Sequence, residues 1–321
     1  MPDLLVEARD AHGGARPRAR TTRRGGDRRT HTNSAYLFLA PVFLVFGLFL
    51  LLPLAHAAYL SLFDWDGLNA GTWVGLENYR ELLTSPAIRS AFLHSFVLIL
   101  FYGVLPIAIA LFLVSLISRS RHVRGLGPYR TLLFLPQVIP SVVVAIAWRW
   151  ILAQDGPLNE LLDAVGLGGL TRPWLGDFET ALPSIGLIGT WAYYGLAMVL
   201  FISGVQKIPQ SLYDAAHMDG AGPVREFFAV TLPGLRRELV VAATLTVAAA
   251  VATFDLVFVA TAGGPGNATT VPALEVYRRA FTNGEVGAAA AVATVIAVVV
   301  FALMLAIRRV GRTPEEREAG R

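Results

Sequence analysis

Long apolar runs separated by short polar segments are the dominant pattern of the chain. Six runs reach the roughly 20 residues that a helix needs to cross the hydrocarbon core of a bilayer. They cover residues 35–62, 92–117, 131–153, 182–205, 239–260 and 286–307. Charged residues or glycine and proline bound each run, which is typical of helix ends. The pattern therefore predicts an all-α integral membrane protein with six transmembrane helices.

The polar segments divide the chain into four regions. Residues 1–34 are rich in arginine and are predicted to be a disordered tail, and residues 308–321 form a second tail. Residues 35–91 hold the first span and an outer loop, and residues 92–307 hold a five-helix core with a long polar loop at 206–238. Leucine and tyrosine at helical spacing within 76–91 predict a helix on the membrane surface before the second span.

Composition supports the membrane prediction and excludes several kinds of chemistry. The 321 residues are 55% hydrophobic and 16% charged, and the chain has no cysteine. Disulfides, thiolate metal sites and cysteine nucleophiles are therefore excluded. The six histidines show no metal-ligand spacing, so no metal site is predicted.

The distribution of positive charge predicts the orientation in the membrane. Of the 27 lysine and arginine residues, 21 fall in the two tails and in segments 118–130 and 206–238, whereas 5 fall in the three loops of the opposite side. Basic residues concentrate on the cytoplasmic side. We therefore expect a multi-pass protein of the bacterial cell membrane with both termini in the cytoplasm. Because the charges flank apolar runs, we expect contacts with lipid and none with nucleic acid.

The loop at 206–238 carries the punctuation of two short helices. Pro209 suits a first helical turn and Gly220 suits the left-handed position after a last turn, which predicts a helix over 210–219. Gly222 and Pro223 repeat the start signal, and a second helix over 225–230 is predicted to stop at Leu232–Pro233. A helix on the membrane surface and a helix in a partner's groove both fit this pattern.

Several motifs of this loop and of the spans resemble one family. Asp214–Ala215–Ala216, Gly220, Val230 and Leu232–Pro233 resemble, without a gap, the Glu-Ala-Ala loop of permease subunits of binding-protein-dependent ABC importers. Asp214 stands where the family usually has Glu, and Val230 where it has Ile. The segments that resemble the carbohydrate branch, in particular its larger maltose-type or glycerol-3-phosphate-type permease, are Met218–Asp219–Gly220–Ala221, GLENYRELL at 75–83, RTLLFLPQVIPSVVVAIAWRWIL at 130–152 and FDLVFVATAGGPGNATT at 254–270.

The resemblance implies a fold, a set of partners and a role for the loop. The fold is the type I ABC importer permease with a cytoplasmic coupling helix. The partners are a second homologous permease, two cytoplasmic ATPase subunits, an extracellular solute-binding protein and a carbohydrate or polyol substrate. Leu212, Phe227 and Leu232 would hold the loop against the spans, and Asp214 would contact a basic residue of the ATPase. The implied coupling residues are Asp214, Ala215, Ala216, Asp219, Gly220, Leu232 and Pro233.

ATP hydrolysis is expected on another polypeptide. A phosphate-binding loop ends in Gly-Lys-Ser/Thr, and the single lysine of the chain, Lys207, lies between Gln206 and Ile208. The chain is therefore expected to hold no cofactor, with ATP and Mg²⁺ on the partner ATPase. The alternatives are a secondary carrier and an integral-membrane enzyme that work without an ATPase.

Polar and aromatic residues inside the spans are the candidates for a substrate pathway. Sugars are recognised by aromatic faces and uncharged hydrogen-bonding groups, and we expect Tyr193, Tyr194 and Asp255 to line the cavity. Arg149 and Asp255 are predicted at similar depth, so they either pair or Arg149 extends to the membrane surface between two tryptophans.

Overall fold

A computed structural model describes residues 38–119 and 126–311 of the chain. The described residues fall into two units, one that ends at Leu52 and one that begins at Pro53. The predicted tails, residues 1–34 and most of 308–321, lie outside the described residues. The helices are α1 (Phe38–Leu60), α2 (Glu77–Thr84), α3 (Pro86–Leu116), α4 (Leu126–Val138), α5 (Ser141–Ile151), α6 (Pro157–Ala164), α7 (Ala181–Val205), α8 (Gln210–Met218), α9 (Pro223–Glu226), α10 (Arg236–Val251), α11 (Asp255–Thr261), α12 (Pro272–Tyr277) and α13 (Val286–Gly311).

The long helices confirm most of the predicted spans. Within the described residues, α1, α3, α7 and α13 are each long and apolar enough to cross a membrane. Two bent pairs, α4 with α5 and α10 with α11, raise the number to six if each pair is one span. The mainly helical fold predicted from the sequence is therefore confirmed, with four to six spans.

The third predicted span is not one continuous helix. Its two parts, α4 and α5, meet at an angle of 109°. Pro140 is extended at the break, with φ −57° and ψ 139°. Proline lacks the amide hydrogen of a helix and disfavours helical geometry at the preceding residue, here Ile139. The fifth predicted span is also broken, with 44° between α10 and α11, at the non-helical Phe254 (φ −134°, ψ −61°).

The predicted surface helix over 76–91 is wrong in its second half. Helix α2 ends at Thr84, and Ser85 is extended with φ −68° and ψ 118°. Pro86 then starts α3, so residues 86–91 belong to the second span. The proline again explains the boundary, because it favours the first turn of a new helix over the interior of an old one.

A small hairpin precedes α2 and departs from a purely helical fold. Strands β1 (Phe63–Asp64) and β2 (Thr72–Trp73) pair antiparallel. The Asp66 carboxylate accepts hydrogen bonds from the backbone N–H of Asn69 at 2.8 Å and of Leu68 at 2.9 Å in the connecting turn. These bonds hold the pKa of the Asp66 carboxyl below its usual value.

The largest buried cluster contains residues of α3, α5, α7, α10 and α11. At its centre the ring of Tyr102, on the α3 side, lies against Gly189 of α7. Helices in lipid associate mainly by close packing, so a residue without a side chain at such a crossing is favoured. This contact places Tyr102 beside Tyr193, one turn further along α7, and both residues line the candidate site described below.

Candidate functional site

A cavity of about 400 Å³ lies where the two helix breaks meet α3 and α7. Its volume is in the range of small-molecule sites, roughly 300–1,000 Å³. Residues at both breaks contribute to its wall. The lining residues are Tyr102, Pro136, Gln137, Ile139, Ser141, Val144, Ala192, Tyr193, Ala249, Ala252, Thr253, Phe254, Asp255 and Leu256.

Ser141 and Asp255 join the two breaks. Each is the first residue of its helix, Ser141 of α5 and Asp255 of α11, and these two helices pack against each other. Ser141 Oγ donates a hydrogen bond of 2.9 Å to Asp255 Oδ2. No hydrogen bond to the second carboxylate oxygen of Asp255 comes from the described part of the chain. That oxygen remains able to accept a hydrogen bond from a ligand.

Two tyrosines form the aromatic part of the wall. The rings of Tyr102 and Tyr193 lie 5.3 Å apart between centroids and are tilted by 35°. Tyr102 is buried, whereas Tyr193 is partly buried and belongs to the wall of the cavity. Ala192 and Tyr193 line the cavity, whereas Tyr194 does not, because it lies a further 100° around α7, about 200° from Ala192.

Gln137 adds an unpaired polar atom to the wall. Its Oε1 is buried and has no hydrogen-bond partner among the described residues. A buried acceptor without a partner costs roughly 1–3 kcal/mol. A donor supplied by a bound molecule would recover that free energy, so this position favours a ligand that carries hydroxyl or amine hydrogens.

Arg149 lies at a different cavity from Asp255. This second cavity, of about 450 Å³, lies at the C-terminal ends of α5 and α11 and includes Arg149, Gln154, Phe258, Thr261 and Pro265. The pair between Arg149 and Asp255 that was considered from the sequence is therefore not formed, since Asp255 bonds to Ser141 instead. Arg149 is exposed, which agrees with a side chain that extends to the membrane surface.

The polar loop after α7 forms the second candidate site. Helix α8 starts directly after Pro209 and is capped at Asp219. Gly220 follows with φ +72°, the left-handed geometry that glycine adopts without strain. The helix predicted over 210–219 and the turn predicted at Gly220 are confirmed. Pro223 opens α9 as predicted.

The second helix of the loop does not stop where the sequence suggested. Residues Phe227–Thr231 continue α9 with wider turns, and Leu232–Gly234 continue it further. Pro233 lies directly after the wider turns and does not end the helix there. The chain leaves the helix at Leu235, with φ −88° and ψ 5°, and α10 begins at Arg236.

Two side-chain contacts fasten α8 to the helix that follows it. The hydroxyls of Tyr213 and Thr231 lie 3.2 Å apart, and both residues are buried. His217 Nε2 lies 2.7 Å from Glu226 Oε2. Leu212 was expected to hold the loop, but it is 50% exposed. Phe227 and Leu232, which were also expected to hold the loop, are partly buried, and the two polar contacts add to them.

The surface of the loop combines acidic and apolar groups. Asp214 is exposed and accepts a 3.2 Å hydrogen bond from Gln210 Nε2, one turn earlier. Ala215, Asp219, Gly220 and Pro233 are also exposed, whereas Ala216 and Leu232 are partly buried. Large apolar side chains are exposed beside them: Leu212, Met218, Val224 and Phe228. Such a surface suits a protein partner with a basic and apolar groove.

Across the two described ranges, no three histidine, aspartate or glutamate side chains come close enough to hold a metal ion. The location of ATP and Mg²⁺ on another subunit stays a prediction.

Comparisons with known proteins agree on one family. Residues 127–313 match the family described as binding-protein-dependent transport system inner membrane component. A probable ABC transporter permease protein of Bacillus subtilis, YurN, is 37% identical over 88% of this chain and 97% of its own length. The trehalose/maltose transport system permease protein MalF of Thermococcus litoralis is 30% identical over 86% and 93%, respectively.

A solved structure has the same fold. It is a chain of a bacterial ABC transporter involved in the import of the acidic polysaccharide alginate. The TM-score is 0.71 at 21% sequence identity, and the match covers 88% of this chain and 96% of that one. At this identity the likeness establishes the fold alone, which is that of an ABC importer permease.

Proposed function

Because the chain belongs to the family of binding-protein-dependent transport system inner membrane components, we propose that it conducts a sugar or related polyol across the membrane as part of an ATP-driven importer. Members of this family are multi-pass permeases that move a solute and catalyse no bond cleavage. The secondary carrier and the membrane enzyme considered from the sequence are not favoured, because relatives over nearly the whole chain are ABC permeases.

The cavity at the two helix breaks is the proposed substrate site. Broken helices near the middle of a membrane protein are typical of transport sites, because their free backbone groups and flexible ends can bind a solute. Tyr193 offers an aromatic ring with a hydroxyl, and Gln137 and Asp255 offer acceptors. This set suits a molecule with several hydroxyl groups. The observation that carries the sugar proposal is this wall. A relative named for trehalose and maltose supports it.

The cytoplasmic loop is the proposed contact with the ATPase. Exposed Asp214 would face a basic residue of that subunit, while the apolar side chains around it, such as Leu212 and Met218, would enter a groove. Because Tyr213 and His217 tie α8 to the next helix, a movement of α8 would be carried into α10 and hence into the spans.

The proposed assembly contains four kinds of subunit. The chain would pair with a second, homologous permease, with two ATPase subunits that bind ATP and Mg²⁺, and with an extracellular solute-binding protein. The family description names such a binding protein as a requirement. Both termini and the loop at 206–238 would lie in the cytoplasm, as the 21 basic residues of that side favour.

Reversal of the charge at Asp214 tests the coupling role. We expect Asp214→Lys to reduce co-purification of the ATPase subunit at least about tenfold, because the change places like charges together in a buried contact. Asp155→Lys is the matched control, since Asp155 is exposed in the loop between α5 and α6 on the predicted outer side. If the ATPase remains bound to Asp214→Lys as it does to the control, the proposed contact is wrong.

A further inference from the structure

The proposed substrate cavity has an unbalanced charge. Asp255 is the only carboxylate in its wall, and the described lining residues include no arginine, lysine or histidine. Arg149 follows Ser141 by eight positions on α5, which separates them by about 12 Å along the helix axis. It lines the second cavity. The wall therefore offers a negative group without a compensating cation.

Two acceptors of the wall lack a full set of donors, although the hydroxyls of Tyr102 and Tyr193 in the same wall can also donate. The Asp255 carboxylate accepts from Ser141 and has an oxygen left over. The buried Gln137 Oε1 has no partner among the described residues. These two acceptors require donors from the ligand, and sugar hydroxyls or amines supply donors. A phosphate, sulfonate or carboxylate group supplies only further acceptors.

We propose that the cargo of this permease carries no negative charge, so that it is a neutral sugar or an amino sugar. The inference rests on the proposed function of the cavity and goes beyond it by excluding phosphorylated, sulfonated and uronic sugars. An anionic group placed a few ångströms from Asp255 is repelled by the like charge of its carboxylate.

The fold does not decide this property. The solved structure with the same fold belongs to an importer of an acidic polysaccharide. Any charge selectivity of the permease itself must therefore come from its side chains, and in this chain the acidic group at the two breaks is Asp255.

Three size-matched disaccharides test the inference. Saturation-transfer NMR would be recorded on the full-length chain in nanodiscs, together with the subunits that co-purify with it. The probes are maltose, which is neutral, the glucosamine dimer, which is cationic, and the galacturonic acid dimer, which is anionic. We expect signals from the first two and a signal at least about tenfold weaker from the third.

Variants tie these signals to the cavity. Tyr193→Ala should abolish the maltose signal. Leu187→Ala, at a residue of the same helix that is 58% exposed, should leave the signal unchanged. Asp255→Asn should increase the signal of the anionic dimer relative to maltose by about tenfold, because one repulsive charge is removed.

The unfavourable outcomes separate the two claims. An anionic signal as strong as that of maltose, lost in Tyr193→Ala, would overturn the charge selectivity and leave the cavity as the sugar site. If no probe gives a signal that depends on Tyr193, the cavity is not the sugar site, and the inference fails together with the proposed function.

Discussion

Gly220 is the residue whose local geometry matters most for the cytoplasmic loop. Its φ is +72°, and a methyl group built on its Cα meets no atom within 4 Å. The cost of a side chain there is therefore conformational and not steric. Left-handed geometry costs an ordinary residue about 1–2 kcal/mol, whereas asparagine tolerates it better.

Paired substitutions at Gly220 separate backbone strain from side-chain bulk. We expect Gly220→Val to lower ATP-driven uptake several-fold, because valine strains the turn between α8 and α9. Gly220→Asn should retain most of the activity. Uptake assays in proteoliposomes would measure both. Equal losses in the two variants would contradict the conformational explanation.

Gly189 has the opposite kind of constraint. A side chain at Gly189 would overlap the ring of Tyr102, so Gly189→Ala must displace Tyr102 or separate α7 from α3. We expect a loss of about 1–3 kcal/mol of stability, which is typical of overpacking, measured as a lower melting temperature. Gly169→Ala, where a methyl group meets nothing within 4 Å, is the control. A melting temperature for Gly189→Ala equal to that of the control would contradict this account.

The sequence revealed individual residues of the sites better than their partners. Pro209, Gly220 and Pro223 could be identified because each acts on its own backbone. The contact between Ser141 and Asp255, 114 positions apart, depends on how α5 and α11 pack, and no local pattern encodes it. The pairs of Tyr213 with Thr231 and of His217 with Glu226 were missed for the same reason.

At the scale of elements, the breaks in the third and fifth spans were the main departure from prediction. Hydropathy and length describe 131–153 and 239–260 as continuous runs, since the residues at the breaks are themselves mostly apolar. Of the two prolines in the third predicted span, Pro136 lies inside α4, and the 109° bend occurs at Pro140. The break at Phe254 contains no proline, so it carried no signal.

The contact between His217 and Glu226 yields a prediction for the loop as an element. Removal of either partner, in His217→Leu or Glu226→Leu, should loosen α8 from α9 and lower the sugar moved per ATP hydrolysed. His217 is largely exposed, with 63% of its side chain accessible, so the expected loss of stability is at most about 1 kcal/mol.

A swap and a control make this test specific. The double variant His217→Glu with Glu226→His restores the contact and should recover part of the transport ratio. Glu77→Leu removes another ion pair, with Arg80 at 3.7 Å on α2, which is more exposed than that of His217 and Glu226, and it should leave the ratio unchanged. If the double variant is worse than both single variants, the pair does not position α8.

At the scale of the whole molecule, orientation is the feature that the sequence alone predicts. The chain has no cysteine, so single cysteines can report the side of each loop. Leu68 in the hairpin is 92% exposed, and Met218 in the loop at 206–238 is 88% exposed. In intact cells we expect a membrane-impermeant maleimide to label Leu68→Cys and not Met218→Cys, whose labelling should require permeabilised cells that produce the permease without its ATPase. Labelling of Met218→Cys in intact cells would reverse the topology.

The central claim is that a sugar passes through the cavity beside Tyr193 and that the ATPase acts on the permease through its contact at Asp214. ATP-dependent uptake of labelled maltose or trehalose into proteoliposomes, with the complete transporter, tests it most directly. We predict that Tyr193→Ala and Asp214→Lys each reduce uptake at least about tenfold, which corresponds to about 1.4 kcal/mol, while Leu187→Ala and Asp155→Lys transport as the unmodified chain does. Uptake at the unmodified rate in either Tyr193→Ala or Asp214→Lys would contradict the claim.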